Sequence, residues 1–276
     1  MDRPRRAPAP LTCMAATVIW TWVFLGIAVA TGRSWLAFPT VLFTLAGFVG
    51  PVVVPSLFIL AGRWDEPVGA FWRRCLDPTT LALRWYAIAA GLLAVLVLVP
   101  AVLTPGVSLG IAFGPGTFLI VGVLAGAAEE PAWRGYGQAA LQRRLPVLAA
   151  SLVVGALWAM WHLPMFWLEG TYQHHLGIGS SGFWTFLLAI VVASPIYAWL
   201  YNASGQVVFA AVFFHAAFNL AAELLADSGS DTRVVAVTAL VAAVLVAASW
   251  RWMRHPALGV AASRHPDETA DRRATA

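Results

Sequence analysis

Charge is scarce in this chain: 11% of its 276 residues are Asp, Glu, Arg or Lys, where a soluble domain carries about a quarter. Lysine is absent altogether, so all 17 basic residues are Arg, a bias of coding composition and not of chemistry. There are two cysteines, Cys13 in an apolar run and Cys75 in what reads as a polar loop, too few for a disulfide scaffold. Polar low-complexity sequence is confined to a tail at 255–276, which excludes a disordered protein. The formal net charge is +4, but the Arg residues lie scattered between apolar runs. Without a basic stripe, nucleic acid is excluded as a partner.

What remains is apolar. Hydrophobic residues make up 60% of the chain, with 14 Trp and 15 Phe, and the mean hydropathy is +0.77. That composition belongs in a bilayer. A spanning helix needs about 20 mostly apolar residues, and stretches of that kind fall near 11–31, 38–61, 85–104, 117–133, 147–163, 183–201, 206–226 and 233–253. The expected fold is an all-α polytopic bundle of about eight transmembrane helices, with lipid as its surroundings. Pro51, Pro55, Pro131 and Pro195 interrupt these stretches. No internal repeat stands out.

Placing the N-terminus inside puts every Arg except Arg33 and Arg233 on the cytoplasmic side. The positive-inside rule then sets both termini in the cytoplasm of a multi-pass cell-membrane protein. The N-terminal Arg3, Arg5 and Arg6 with a small-residue ending at Ala28-Val29-Ala30 resemble a secretory signal. The 21 residues from Leu11 to Thr31 exceed the usual signal core, so an uncleaved helix is expected.

Ionisable groups inside a span are costly and mark function. Such groups are few here: Glu129 and Glu130 in the fourth span, His162 in the fifth, His215 in the seventh beside the polar Asn219, and Glu223 near the outer end of the seventh. Adjacent helical residues diverge by about 100°, so the two carboxylates cannot share a task. Glu130 and Arg134, one turn apart, are expected to pair and hold the helix end. Glu129 is left to act as a base. Pro131, lacking an N–H, is expected to kink the helix and free the Ala127 carbonyl. His162 shares a face with Trp158, and His215 with Asn219. Trp158 reads as core filler that stacks on an imidazole.

Two chemistries fit this set. Glu129, His162 and His215 have the composition of a catalytic zinc site. Alternatively, Glu129 and His162 polarise water while His215 and Asn219 donate to the developing oxyanion. The second reading is preferred, without a cofactor, because it uses Asn219, a poor zinc ligand but a good donor. With span ends as above and about 1.5 Å per residue, Glu129 and His162 differ in depth by about 10 Å, a discrepancy the sequence leaves standing.

At these residues the chain resembles the CAAX protease and bacteriocin-processing family of intramembrane endopeptidases, which includes the type II CAAX prenyl endopeptidases. The motifs are Glu129-Glu130 followed by Arg134, an aromatic followed by His162, and His215 followed by Asn219. They appear in the family's order, each in its own apolar span. Trp158 stands where the family usually has Phe, a departure expected to touch only local packing and cleft shape. The resemblance, over about 117–221, implies a peptidase core at 117–226. A cytoplasmic segment at 1–10 and three helices within 11–104 precede that core; a last helix at 233–253 and a disordered cytoplasmic tail at 255–276 follow it. It implies Glu129, His162, His215 and Asn219 as catalytic, Glu130 and Arg134 as orienting, and a peptide or protein substrate with or without a lipid modification. It leaves open whether a metal participates. Two other readings compete: a non-catalytic bacteriocin-immunity or scaffold protein, and a proton-coupled transporter. The latter usually carries paired broken helices in inverted repeats, and the polar groups here have no second set.

Overall fold

A computed structural model describes residues 7–104, 115–225 and 231–257, and among these the regular structure is wholly helical. The main helices are α1 (Pro10–Ala30), α2 (Thr40–Phe48), α3 (Gly50–Leu60), α4 (Val68–Leu76), α5 (Leu83–Leu103) and α6 (Pro115–Glu130). A π-helical segment (Pro131–Gln138) and α7 (Ala139–Leu141) continue α6. Then come α8 (Val147–His162), α9 (Tyr172–Leu176), α10 (Ser181–Ala203), α11 (Val208–Leu225), α12 (Asp231–Ala248) and α13 (Trp250–Met253). The molecule is a polytopic helical bundle of a membrane protein. Each of the eight apolar stretches expected from sequence forms helix. By length and composition alone, four single helices cross a membrane, five if α2 and α3 count as one span, and shorter apolar helices cover Val208–Asn219 and Thr232–Ala248.

The break between α2 and α3, a bend of 47°, has a local cause. Pro51 has no N–H to give the Gly47 carbonyl four residues earlier. Thr21 Oγ1 of α1 donates to that carbonyl at 2.8 Å, and Trp20 Nε1 donates to the Ala46 carbonyl at 2.7 Å. Trp161 Nε1 of α8 in turn donates to Thr21 Oγ1 at 2.7 Å. One hydroxyl therefore ties the broken span to α1 and to the end of α8. These bonds make α1 an integral part of the bundle.

The fourth span corrects the sequence reading. Instead of ending near 133, the helix passes Pro131, widens into the π-segment and runs on to Leu141, with every residue from Pro131 buried. Proline removes an i→i−4 bond, and wider i→i−5 pairing is one way a helix absorbs that loss. The change in length also removes the depth discrepancy. Glu129 now stands twelve residues from the end of α7 and His162 fifteen from the start of α8, so at about 1.5 Å per residue they differ by only about 5 Å.

Two further corrections concern α4 and the end of the described chain. Cys75 does not lie in a polar loop: α4 is amphipathic, burying Phe71 and Cys75 completely. The tail is ordered at its beginning, since the His255 carbonyl accepts from Val147 N at 3.1 Å and Ala257 N donates to the Gln142 carbonyl at 2.7 Å. The rest of the expected tail, 258–276, lies outside the described residues, as do 1–6 and 226.

Candidate active site

Four helices, α6, α8, α10 and α11, approach closely enough to share polar side chains, and small residues permit it. At Gly126 of α6 a Cβ would meet the Val212 carbonyl of α11 at 2.8 Å and Ala216 N at 3.1 Å. Only glycine allows the two backbones this near, and α6 and α11 form the most extensive helix pair. At Gly155 of α8 a Cβ would lie 2.8 Å from Ser194 Cβ of α10. The first approach sets His215 beside the end of α6, and the second sets Ser194 beside α8.

Glu130 is fully buried, as is Arg134. Arg134 Nη1 donates to Glu130 Oε1 at 3.2 Å. The second carboxylate oxygen lies 3.1 Å from the same nitrogen but completes no hydrogen bond. This is the pair expected from the i, i+4 spacing. Its other partners were not legible in the sequence. His215 Nδ1 lies 2.8 Å from Glu130 Oε1, so the carboxylate joins the fourth span to the seventh as well as to its own helix. Arg134 Nη2 donates to Ser194 Oγ at 3.2 Å, and Ser194 Oγ donates to the Ser151 carbonyl at 2.7 Å. The guanidinium carbon also lies 4.4 Å from the Tyr197 ring centroid and 4.7 Å from that of Trp158, within cation–π range.

Among the described residues Arg134 pairs with Glu130 and not with Glu129. Glu129 Oε2 accepts a hydrogen bond from Trp158 Nε1 at 2.8 Å. A second indole, that of buried Trp133, lies close enough to act on the same carboxylate, although its N–H does not reach full hydrogen-bond geometry. His162, half-buried at the end of α8, has Nδ1 at 2.8 Å from the Trp158 carbonyl. A carbonyl can only accept, so Nδ1 carries the proton and Nε2 keeps its lone pair. The Trp158 ring stands 6.0 Å from His162 and 5.2 Å from His215.

The structure therefore brings Glu129, His162 and His215 together around Trp158. Asn219 lies one turn beyond His215 on the same seam, its Cβ 3.9 Å from where a Cβ on Gly122 would stand. Beside His162, Leu163, Pro164 and Trp167 face Trp22, Gly26 and Val29 of α1 across an apolar groove of about 310 Å³. Among the described residues, no three His, Cys, Asp or Glu side chains gather as a metal-ligand set.

Sequence reading missed Trp158 as a hydrogen-bond donor and Ser151, Ser194 and Tyr197 as partners of Arg134. A signal was present for the first, because a buried indole N–H seeks an acceptor, and an unpaired carboxylate was already expected in the next span. For Ser151 and Ser194 no signal existed beyond two hydroxyls in apolar helices.

Comparison with known proteins agrees with the motifs. Residues 111–221 match the family model described as type II CAAX prenyl endopeptidase Rce1-like. Over 229 residues the chain is 28% identical to CAAX prenyl protease 2 of Methanococcus maripaludis, covering 74% of this chain and 80% of that protein. The chain is a membrane protein, and the stretch similar to that family model contains every candidate residue from Glu129 to Asn219.

Proposed function

We propose that the protein is an intramembrane endopeptidase that cleaves membrane-associated peptides or proteins with water activated by Glu129 and His162. The observation that carries this reading is the convergence of Glu129, His162 and His215, from three different spans, on one buried indole. Packing alone does not require an acid and two imidazoles at one point in an apolar bundle.

The chemistry follows from which atoms are already engaged. Oε2 of Glu129 is held by Trp158, and Nδ1 of His162 by a carbonyl, so Oε1 and Nε2 are the groups left to bind water. Water held between them loses a proton to Glu129 as its oxygen bonds to the scissile carbonyl carbon. His215, oriented by Glu130 through Nδ1, presents Nε2; as an imidazolium it donates there, with the Asn219 amide, to the oxyanion. Collapse of the tetrahedral intermediate breaks the C–N bond, and the proton on Glu129 passes to the departing amine. The products are a carboxylate and an amine, one water consumed. Glu130 and Arg134 hold His215 in place and touch no substrate. The groove beside His162 would receive an apolar portion of the substrate, a side chain or an attached lipid. In this reading the Arg-rich face and both termini are cytoplasmic.

The test compares membranes of cells making the wild-type protein with those making Glu129→Gln, by sequencing newly formed peptide termini. The expected result is a set of termini present with the wild type and absent with Glu129→Gln, which still folds and retains the uncleaved substrates. Identical termini in both would overturn the proposal and favour a scaffold.

A further inference from the structure

We infer that Trp158 is the positioning residue of the water-activating pair, fixing Glu129 through its indole N–H and His162 through its carbonyl. The inference rests on the assignment of Glu129 and His162 made above and adds the residue that sets which of their atoms face the water.

Two independent contacts support it. The indole N–H meets Glu129 Oε2 at 2.8 Å, and the backbone carbonyl of the same residue receives His162 Nδ1 at 2.8 Å. Both side chains at the first contact are buried, Trp158 at 5% exposure and Glu129 at 7%, so no bulk water competes for that hydrogen bond. The indole is itself clamped: Tyr197 meets it edge-on at 5.4 Å and Arg134 lies over it. With the ring unable to rotate, the direction of its N–H is fixed, and with it the plane of the carboxylate. A phenylalanine would fill much of the same space and leave the His162 contact in place, but it offers Glu129 no donor. In this chain the aromatic position has therefore acquired a polar task. A charge-assisted hydrogen bond is worth more than a neutral one, and here it meets the one carboxylate of the site that lacks an Arg partner.

Trp158→Phe separates the polar task from the packing. In purified, vesicle-reconstituted protein acting on a substrate identified from the new termini, kcat should fall roughly tenfold or more, the loss of one hydrogen bond to a charged group. KM should stay within about twofold, because the carboxylate acts on water and not on substrate binding. A purely structural role would move KM and the unfolding temperature together. A second measurement does not depend on that variant folding. With isotope-labelled tryptophan at position 158 alone, the indole proton resonance should move upfield in Glu129→Gln, where an amide oxygen replaces the charged acceptor. Unchanged kcat in a folded Trp158→Phe, or an indole resonance indifferent to Glu129→Gln, overturns the inference. An inactive Glu129→Gln beside a fully active Trp158→Phe would remove only the role of Trp158. A Glu129→Gln protein that cleaves at the wild-type rate would remove the underlying reading and this one with it.

Discussion

Arg134 shows how one buried cation becomes the centre of a site. It meets Glu130, Ser194 and two aromatic faces with no exposure to solvent. Removing one partner of a buried ion pair strands the other, at about 3–5 kcal/mol. Arg134→Ala should therefore lower the thermal unfolding midpoint of the purified protein severely, and Arg134→Lys should only partly restore it, since a single ammonium cannot serve Glu130, Ser194 and two rings at once. Cys75 gives a residue-scale prediction of a different kind. Burial pushes its thiol up to about 12, against about 8.5 for a free cysteine. Above the unfolded value the unfolded chain releases a proton that the folded chain keeps, so stability falls as pH rises between about 8.5 and 12, by at most about 1.4 kcal/mol per pH unit. Cys75→Ala should flatten that slope in unfolding measurements, and in the native protein Cys75 should resist alkylation at neutral pH. The pairing of Glu130 with Arg134 was legible from their spacing alone. The bond from Trp158 to Glu129 was not, because it joins residues 29 apart whose meeting depends on how two helices pack.

At the scale of elements, the motifs supply the chemistry and glycines supply the approach. A stripe of Gly122 and Gly126 lets α6 lie against α11 so that His215 reaches Glu130. Gly126→Leu would drive a side chain into the backbone of Val212 and Ala216. Overpacking of this kind costs about 1–3 kcal/mol, and it should separate Glu130 from His215. Unfolding measurements should show the destabilisation, and cleavage should fall by more than the loss of folded protein explains. Helix existence was readable from hydrophobic length throughout, and the stretch at 147–163 came within a residue or two of α8. The path of the fourth span was not. Pro131 in sequence predicts a kink near the end of the span, yet the buried run after it, with Trp133, Tyr136 and Gln138 all packed inside, stabilises a continuing helix of wider pitch. Sequence periodicity near 3.6 gives no warning of a π-segment. The amphipathic α4 was missed for a related reason. Nine residues are too few to register against the long apolar runs, and only burial reveals that Phe71 and Cys75 share its inner face.

For the whole molecule, the bundle encloses a polar cluster that no single helix could bear. Both carboxylates, the guanidinium and His215 have a partner from another span, Glu129 with α8, Glu130 with His215 of α11 and Arg134 with α10, while His162 is held within α8. The cost of placing charge within an apolar bundle is thus offset by helix association, and the site exists only in the assembled fold. The sequence allowed that assembly to be inferred from the order of three motifs, and the Rce1-like match over 111–221 covers the same helices. The most direct measurement of the central claim is the single-turnover rate of peptide cleavage by purified, vesicle-reconstituted protein after exhaustive chelation, wild type beside Glu129→Gln. The account predicts an undiminished wild-type rate and a loss of about a hundredfold or more in the variant, the range expected for a general base. A chelated wild type that stops and is restored by zinc, or a Glu129→Gln protein that cleaves as fast as the wild type, would contradict it.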